Sequence, residues 1–287
     1  MKLSMEIYAL QQRFGDKRAA ELIAAAGFDC IDYSYYWQAE DSPVLGDGYL
    51  AYAKDLRAHL DAVGIACNQA HAPFVVKYGD AFDESNPRFL QTVRAIEAAS
   101  VLGADCIVVH SIGIPEEEKG VELADYNDIY FKSLEPYCKK YGIRIAVENL
   151  FSRDKKRRCF KGRFGTPAEL CGFLRRLNSP WFVACIDVGH AALVGCEPED
   201  FIAGMERGML KSLHIQDNDY LGDCHVLPYM GQLNWQGITA ALKDIAYDGE
   251  LTFEIFKFLG RIPDGLVPDA LRFAVAVGRD LIARIEQ

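Results

Sequence analysis

The stretch SLHIQDNDYLGDCHVLPYMGQLNW, residues 212–235, opens as an apolar strand and then gathers His214, Asp217, Asp219, Asp223 and His225. Imidazole and carboxylate are ligand types for divalent cations and common acids and bases of catalysis. The same types recur at comparable places. His71 stands in ACNQAHAPF, His110 in CIVVHSI, Glu148 in RIAVENLF, Asp187 and His190 in VACIDVGHA, and Glu254 in LTFEIF. Each lies at or just after the end of an apolar, β-rich run. The sixth histidine, His59, sits in the helical pattern DLRAHL and reads as a helix-face residue.

The elements that must position these residues follow one unit: a short apolar run, a turn, then a helical pattern. The strand-like runs are 3–10, 30–36, 66–74, 106–112, 144–151, 183–191, 212–218 and 251–256. Between them lie segments such as GDKRAAELIAAAGF and FLQTVRAIEAASVLG, with apolar residues recurring at three and four and glycine at the stop. Strands alternating with helices predict a parallel sheet. Eight such units closed in a ring make a (β/α)8 TIM barrel. An open doubly wound sheet is the competing architecture, but no GxGxxG turn occurs. No linker or break in composition appears, so residues 1–287 are expected to form a single TIM-barrel domain.

A barrel of this kind builds its active site at the C-terminal ends of its strands. Alternate strand residues point inward, so Glu148, Asp187, His214 and Glu254 can converge from four consecutive strands. A buried carboxylate is costly unless paired or metal-bound. A single histidine at a strand end usually does no more than satisfy a hydrogen bond, and Glu254 alone could close a salt bridge. Nine ligand-type residues on six successive strands or their loops point instead to a divalent cation, Zn, Mn, Co or Mg. Gln216 shares the His214 face and is expected to support the ligands. Asp217 and Asp219 read either as supports or as solvated loop residues. Tyr33, Tyr35, Trp37, Phe74 and Phe256 are candidates for an apolar wall.

Composition bounds the partners. Half the 287 residues are hydrophobic and a quarter charged, an ordinary globular mixture. No apolar run is long enough to span a bilayer and no signal-peptide pattern opens the chain, so a cytoplasmic protein without a membrane partner is expected. Nine cysteines stand singly with no CxxC, which argues for reduced thiols. Cys224, between Asp223 and His225, reads as an extra soft ligand or an incidental thiol. The net charge of −10 repels phosphate backbones and makes nucleic acid a poor partner. The run RDKKRRCFKGR, 153–163, opposes this with seven Lys/Arg against one Asp. It reads as a solvated loop or as a holder of one phosphate or carboxylate, with Arg157 and Arg158 as the candidates.

In order along the chain, HAPF, VVHS, VENL, IDVGHA, LHIQDND, DCHVLP and FEIF resemble the xylose-isomerase-like barrel superfamily, which includes sugar-phosphate isomerases, ketose 3-epimerases, inosose dehydratase and endonuclease IV. The resemblance to the epimerase branch implies one metal held by Glu148, Asp187, His214 and Glu254. It further implies that Glu148 and Glu254 act as acid and base and that His190 contacts substrate. The expected reaction is isomerisation or epimerisation of a small carbohydrate or sugar phosphate through an enediolate, formed when a proton leaves the carbon beside a carbonyl. Dehydration of an inosose-type ketone starts with the same step. The resemblance to endonuclease IV instead implies up to three zinc ions, with His71, His110, His190, Asp223 and His225 joining the set. A homo-oligomer is compatible with either, and a non-catalytic sugar- or metal-binding barrel is a third reading.

Overall fold

The computed structural model describes residues 1–38, 42–74, 81–113 and 123–287. Ten strands run in chain order: β1 (Leu3–Glu6), β2 (Cys30–Ser34), β3 (Ala66–His71), β4 (Cys106–Val109), β5 (Arg144–Glu148), β6 (Phe151–Arg153), β7 (Cys159–Lys161), β8 (Phe182–Asp187), β9 (Leu210–His214) and β10 (Leu251–Phe253). Eight are parallel neighbours in the order β10-β1-β2-β3-β4-β5-β8-β9. The ring closes between β9 and β10: the Ile215 amide donates to Thr252 O at 2.8 Å and the Glu254 amide to Ile215 O at 3.0 Å. The chain therefore folds as the expected TIM barrel. Between the strands lie amphipathic helices, the longer ones being Asp16–Ala26, Tyr49–Val63, Pro87–Leu102, Leu123–Tyr141, Pro167–Leu177, Trp235–Asp244 and Val267–Glu286. Among the described residues no helix is long and apolar enough to cross a membrane.

The strands sort their side chains by the period of two. Leu3, Met5, Ile31, Tyr33, Ile107, Val109, Ile145, Val147, Ala184, Ile186, Leu213 and Phe253 belong to one large apolar cluster with the helices. Burying one such side chain contributes roughly 1.5–3 kcal/mol, so this outer shell carries most of the hydrophobic stabilisation. The opposite positions fill the interior. A small cluster of Cys106, Val108, Ala146, Val183 and Cys185 occupies one sector. Polar residues bonded across the ring occupy the rest: Ser4 Oγ donates to Asn68 Oδ1 at 2.7 Å, and Gln69 links Ser212 to Asp32. The interior polarity rises toward the C-terminal rim.

Three sequence expectations need correction here. The run 3–10 is a strand only to Glu6; Tyr8–Phe14 is a helix, because YALQQRF carries a helical spacing that the short apolar start masks. The run 183–191 ends at Asp187, whose carboxylate caps the helix Val188–Leu193 by accepting from His190 N at 2.8 Å. His190 therefore reaches the rim from the first turn of a helix. The basic run 153–163 is largely an antiparallel hairpin, β6 pairing with β7 with Phe151 opposite Lys161.

Candidate metal centre at the barrel mouth

Four side chains from four strand ends meet at the rim. Ligand atoms of Glu148, Asp187, His214 and Glu254 lie within 4.8 Å of one another, and all four residues are buried. His214 Nδ1 is 2.7 Å from Glu148 Oε1 and 3.6 Å from Glu254 Oε2. Its other nitrogen, Nε2, faces Asp32 Oδ2 at 3.3 Å. The imidazole is thus held from behind by one carboxylate and aimed at two others, an arrangement that orients metal-binding histidines. Cys185 also lies within reach of Glu148 and His214, but burial pushes its thiol up to about 11, so it remains protonated at neutral pH.

The two glutamates are driven apart electrostatically. Burial alone would raise Glu148, yet the imidazoles of His214 and His110 hold it well below the usual carboxylate range. Glu254 is raised well above that range: burial dominates, and Asp187, Glu148 and Glu6 add to it against His214. Its Oε1 accepts from Tyr36 Oη at 2.6 Å. Burial opposes the charge on His214, but Cys185 and then Glu254, Glu148 and Asp32 raise it well above the ordinary imidazole value. In the cation-free protein this favours a protonated His214; as a metal ligand the ring would be neutral.

The remaining candidates form a second tier. His71 Nε2 and His110 Nε2 lie 3.1 Å apart, and His110 Nε2 is 2.6 Å from Glu148 Oε2. Although that contact is short, it lacks hydrogen-bond geometry, and Glu148 Oε2 is buried without a hydrogen-bond partner among the described residues. On the far side, His190, Asp223 and His225 form another close group, with His225 Nε2 2.9 Å from Asp223 Oδ1. Burial would raise Asp223, but His225 and His190 bring it well below its ordinary value. Gln216 ties the tiers together: Nε2 reaches Asp187 Oδ2 at 3.1 Å and Asp223 Oδ1 at 3.2 Å, while Oε1 accepts from His225 N at 2.9 Å. Gly189 makes room for it, since a Cβ there would lie 2.6 Å from Gln216 Cδ.

Three histidines share one device. The Nδ1 of His71 donates to Ala72 O at 2.8 Å, that of His190 to Asn149 O at 3.0 Å, and that of His225 to Glu254 O at 3.0 Å. Each main-chain carbonyl takes the Nδ1 proton and leaves Nε2 directed away from it, toward the cluster. For His71, burial also lowers the pKa and favours the neutral ring.

Glu148 and Glu254 open onto a pocket of about 370 Å³, walled by Tyr8, Tyr36, Trp37, Phe74, Phe151 and Phe256. Trp37, Phe74 and Phe256 stand where the sequence suggested an apolar wall. Tyr33 and Tyr35 do not: both are buried on the helix side of β2, with Tyr33 Oη bonded to Asp16. Arg157 and Arg158 line neither this pocket nor its larger neighbour; Arg158 Nη2 pairs with Asp154 Oδ2 at 2.6 Å on the hairpin. Cys224 Sγ turns to Asp219 Oδ1 at 3.7 Å. Glu6 and Asp32, buried acids that the sequence reading passed over, lie next to the centre, and burial together with Asp32 raises Glu6 well above the ordinary value.

Asp217 is fully buried and is not a solvated loop residue. Its carboxylate accepts from the amides of Asn218, Tyr229 and Leu233 and from Trp235 Nε1, at 2.8–3.1 Å. It therefore fixes the loop that returns Asp223 and His225 over the mouth. Replacing Asp217 with Ala leaves these donors unmatched, and we expect a loss of about 2–3 kcal/mol in urea unfolding. An unchanged midpoint would show that the loop is anchored elsewhere.

The family model described as "Xylose isomerase-like TIM barrel" matches residues 20–276. The chain belongs to that family. The uncharacterized protein MJ1311 of Methanocaldococcus jannaschii is 27% identical over 243 residues, 82% of this chain and 77% of that protein. Among solved structures, a D-tagatose 3-epimerase-like protein is 22% identical with a TM-score of 0.72, covering 98% of this chain and 100% of its own. The D-psicose 3-epimerase of Clostridium cellulolyticum H10, solved with D-tagatose, is 16% identical with a TM-score of 0.73, covering 98% and 99%. The IolI protein, solved with a zinc atom, is 18% identical with a TM-score of 0.70, covering 99% and 96%. At these identities the likeness is one of fold.

Proposed function

We propose that the chain is a metal-dependent isomerase or epimerase of a small ketose, sugar phosphate or related polyol. The observation that carries this reading is the convergence of Glu148, Asp187, His214 and Glu254, whose ligand atoms lie within 4.8 Å of one another at the base of a small pocket. Glu148 Oε2, buried without a hydrogen-bond partner, and the carboxylate–imidazole donor set fit a hard or borderline divalent cation. Glu148, Asp187, His214 and Glu254 would hold it. When bound, it supplies Lewis-acid polarisation of a substrate carbonyl.

This chain's own groups do the rest. In its ionised state Glu148 removes the proton from the carbon beside the carbonyl, and Glu254 in its protonated state returns one to the opposite face. A reversible epimerisation uses the two in either order. Tyr36 fixes the Glu254 carboxyl, and His190 orients a substrate hydroxyl. The aromatic walls exclude water and offer apolar faces to the carbon skeleton. A pocket of about 370 Å³ suits a small sugar. The epimerase-like neighbours support the same reading, as does the net charge of −10, which disfavours a polyanionic substrate.

A second reading, a multi-zinc phosphodiesterase of the endonuclease IV kind, is favoured by one observation. The Nε2 atoms of His71, His190 and His225, with the Asp223 carboxylate, exceed what one cation needs. Metal content per chain, by mass spectrometry on protein purified without chelator, separates the two. We expect about one cation; about two to three zinc ions would transfer the assignment to hydrolysis.

A further inference from the structure

A second cavity of about 550 Å³, larger than the mouth pocket, lies beside it against the β6–β7 hairpin. Its walls include Phe151 and Ser152 on one limb and Lys161 and Arg163 on or just beyond the other. The limbs are locked together. The Leu150 amide donates to Arg163 O at 2.9 Å, and a Cβ at Gly162 would lie 2.5 Å from Leu150 O, so only glycine allows that approach. Arg163 is therefore pinned at its backbone while its side chain lines the cavity.

Among the described residues three cations line this space, and two are neutralised: Lys161 pairs with Glu169, and Arg176 with Asp128. Arg163 has no such pair among the described residues. Its Nε is buried without a hydrogen-bond partner, and among the described residues no carboxylate reaches its guanidinium. Burial lowers its pKa, and no carboxylate among the described residues offsets this. Holding a half-buried cation unpaired is costly. A guanidinium presents a planar fork that fits carboxylate and phosphate oxygens. We propose that this cavity is an oxyanion subsite in which Arg163 binds the phosphate or carboxylate of a small ligand. Within the basic run, Arg163 takes the role that the sequence suggested for Arg157 and Arg158. The subsite shares Leu150 and Phe151 with the mouth pocket, and the Phe151 ring packs on His190 at 5.0 Å. The anion is accordingly either a free ion or the tail of the molecule bound at the mouth. The proposal stands whether or not the mouth performs isomerisation.

The test is calorimetric titration of the metal-loaded protein with inorganic phosphate at low ionic strength. We expect saturable binding, weakened at least about ten-fold by Arg163→Gln with metal content unchanged. Ser152→Glu keeps Arg163 but adds a negative charge to the cavity, and should weaken phosphate as much even if Arg163→Gln fails to fold. If the anion is a substrate's tail, Arg163→Gln raises KM for phosphorylated or carboxylated sugars and leaves neutral sugars unchanged; if it is a free ion, KM is unchanged for both while phosphate binding is still lost. Phosphate binding that is undetectable in the unaltered protein, or equally tight in both variants, would overturn the proposal. The latter result would place the ion on the mouth cation.

Discussion

Glu254→Gln is expected to lower turnover of a ketose substrate about 10³-fold at saturating cation, the scale of losing a positioned proton donor and acceptor. The substitution is isosteric. The amide oxygen can still accept from Tyr36 Oη, now 2.6 Å from Glu254 Oε1, so the pocket keeps its shape. What disappears is the titrating group. Stability provides the control. Glu254 binds its proton more tightly folded than unfolded, so in the cation-free protein it costs stability as pH rises above about 4.5. Gln removes that loss. The cation-free variant should therefore be at least as stable as the unaltered chain at neutral pH while being catalytically poor. A variant that is inactive because it is unfolded would show the opposite, and a fully active one would remove Glu254 from the chemistry.

His214→Ala is expected to have the largest structural effect. The ring is fully buried between Glu148 Oε1 at 2.7 Å and Asp32 Oδ2 at 3.3 Å. Truncation leaves two buried carboxylates without their cation, which costs about 3–5 kcal/mol. The same change deletes the only imidazole among the four proposed ligands, so metal affinity should fall by about 10²-fold or more. Urea unfolding of the cation-free protein and chelator competition measure the two effects separately. His71→Ala is the comparison. Burial favours the neutral ring of His71, so its loss uncovers no paired charge and should cost less stability than His214→Ala. If the two variants lost the same stability and metal affinity, the central role given to His214 would not stand.

The barrel and its rim were legible because ligand types interrupt apolar runs at their ends. That signal is strongest where an acid ends an otherwise apolar strand, as Glu148 ends RIAVE and Asp187 ends FVACID. What escaped was parity. On β2, Asp32 and Ser34 face the interior, and Tyr36 continues that face to meet Glu254; Tyr33 and Tyr35 point to the helices. Reading CIDYSYY with the period of two would have chosen Tyr36 and drawn attention to Asp32. Glu6 was hidden because the strand was read through to residue 10. Asp217 could not be told from Asp219 by type, since its burial depends on donors as far along the chain as Trp235. Arg163 was one basic residue in a run of seven. Only the cavity beside it and the partners found by Lys161 and Arg158 set it apart.

The most direct measurement of the central claim is solvent deuterium uptake. The metal-loaded protein is incubated in heavy water with a panel of ketohexoses, pentuloses and their phosphates, and the carbon beside the carbonyl is followed by NMR. Proton abstraction by Glu148 and return by Glu254 predict deuterium at that carbon in at least one substrate, with the epimer or isomer appearing alongside and both lost in Glu254→Gln. Turnover without any deuterium at that carbon, or no exchange with any of these sugars by protein carrying about two to three zinc ions, would contradict the account and direct attention to phosphodiester hydrolysis.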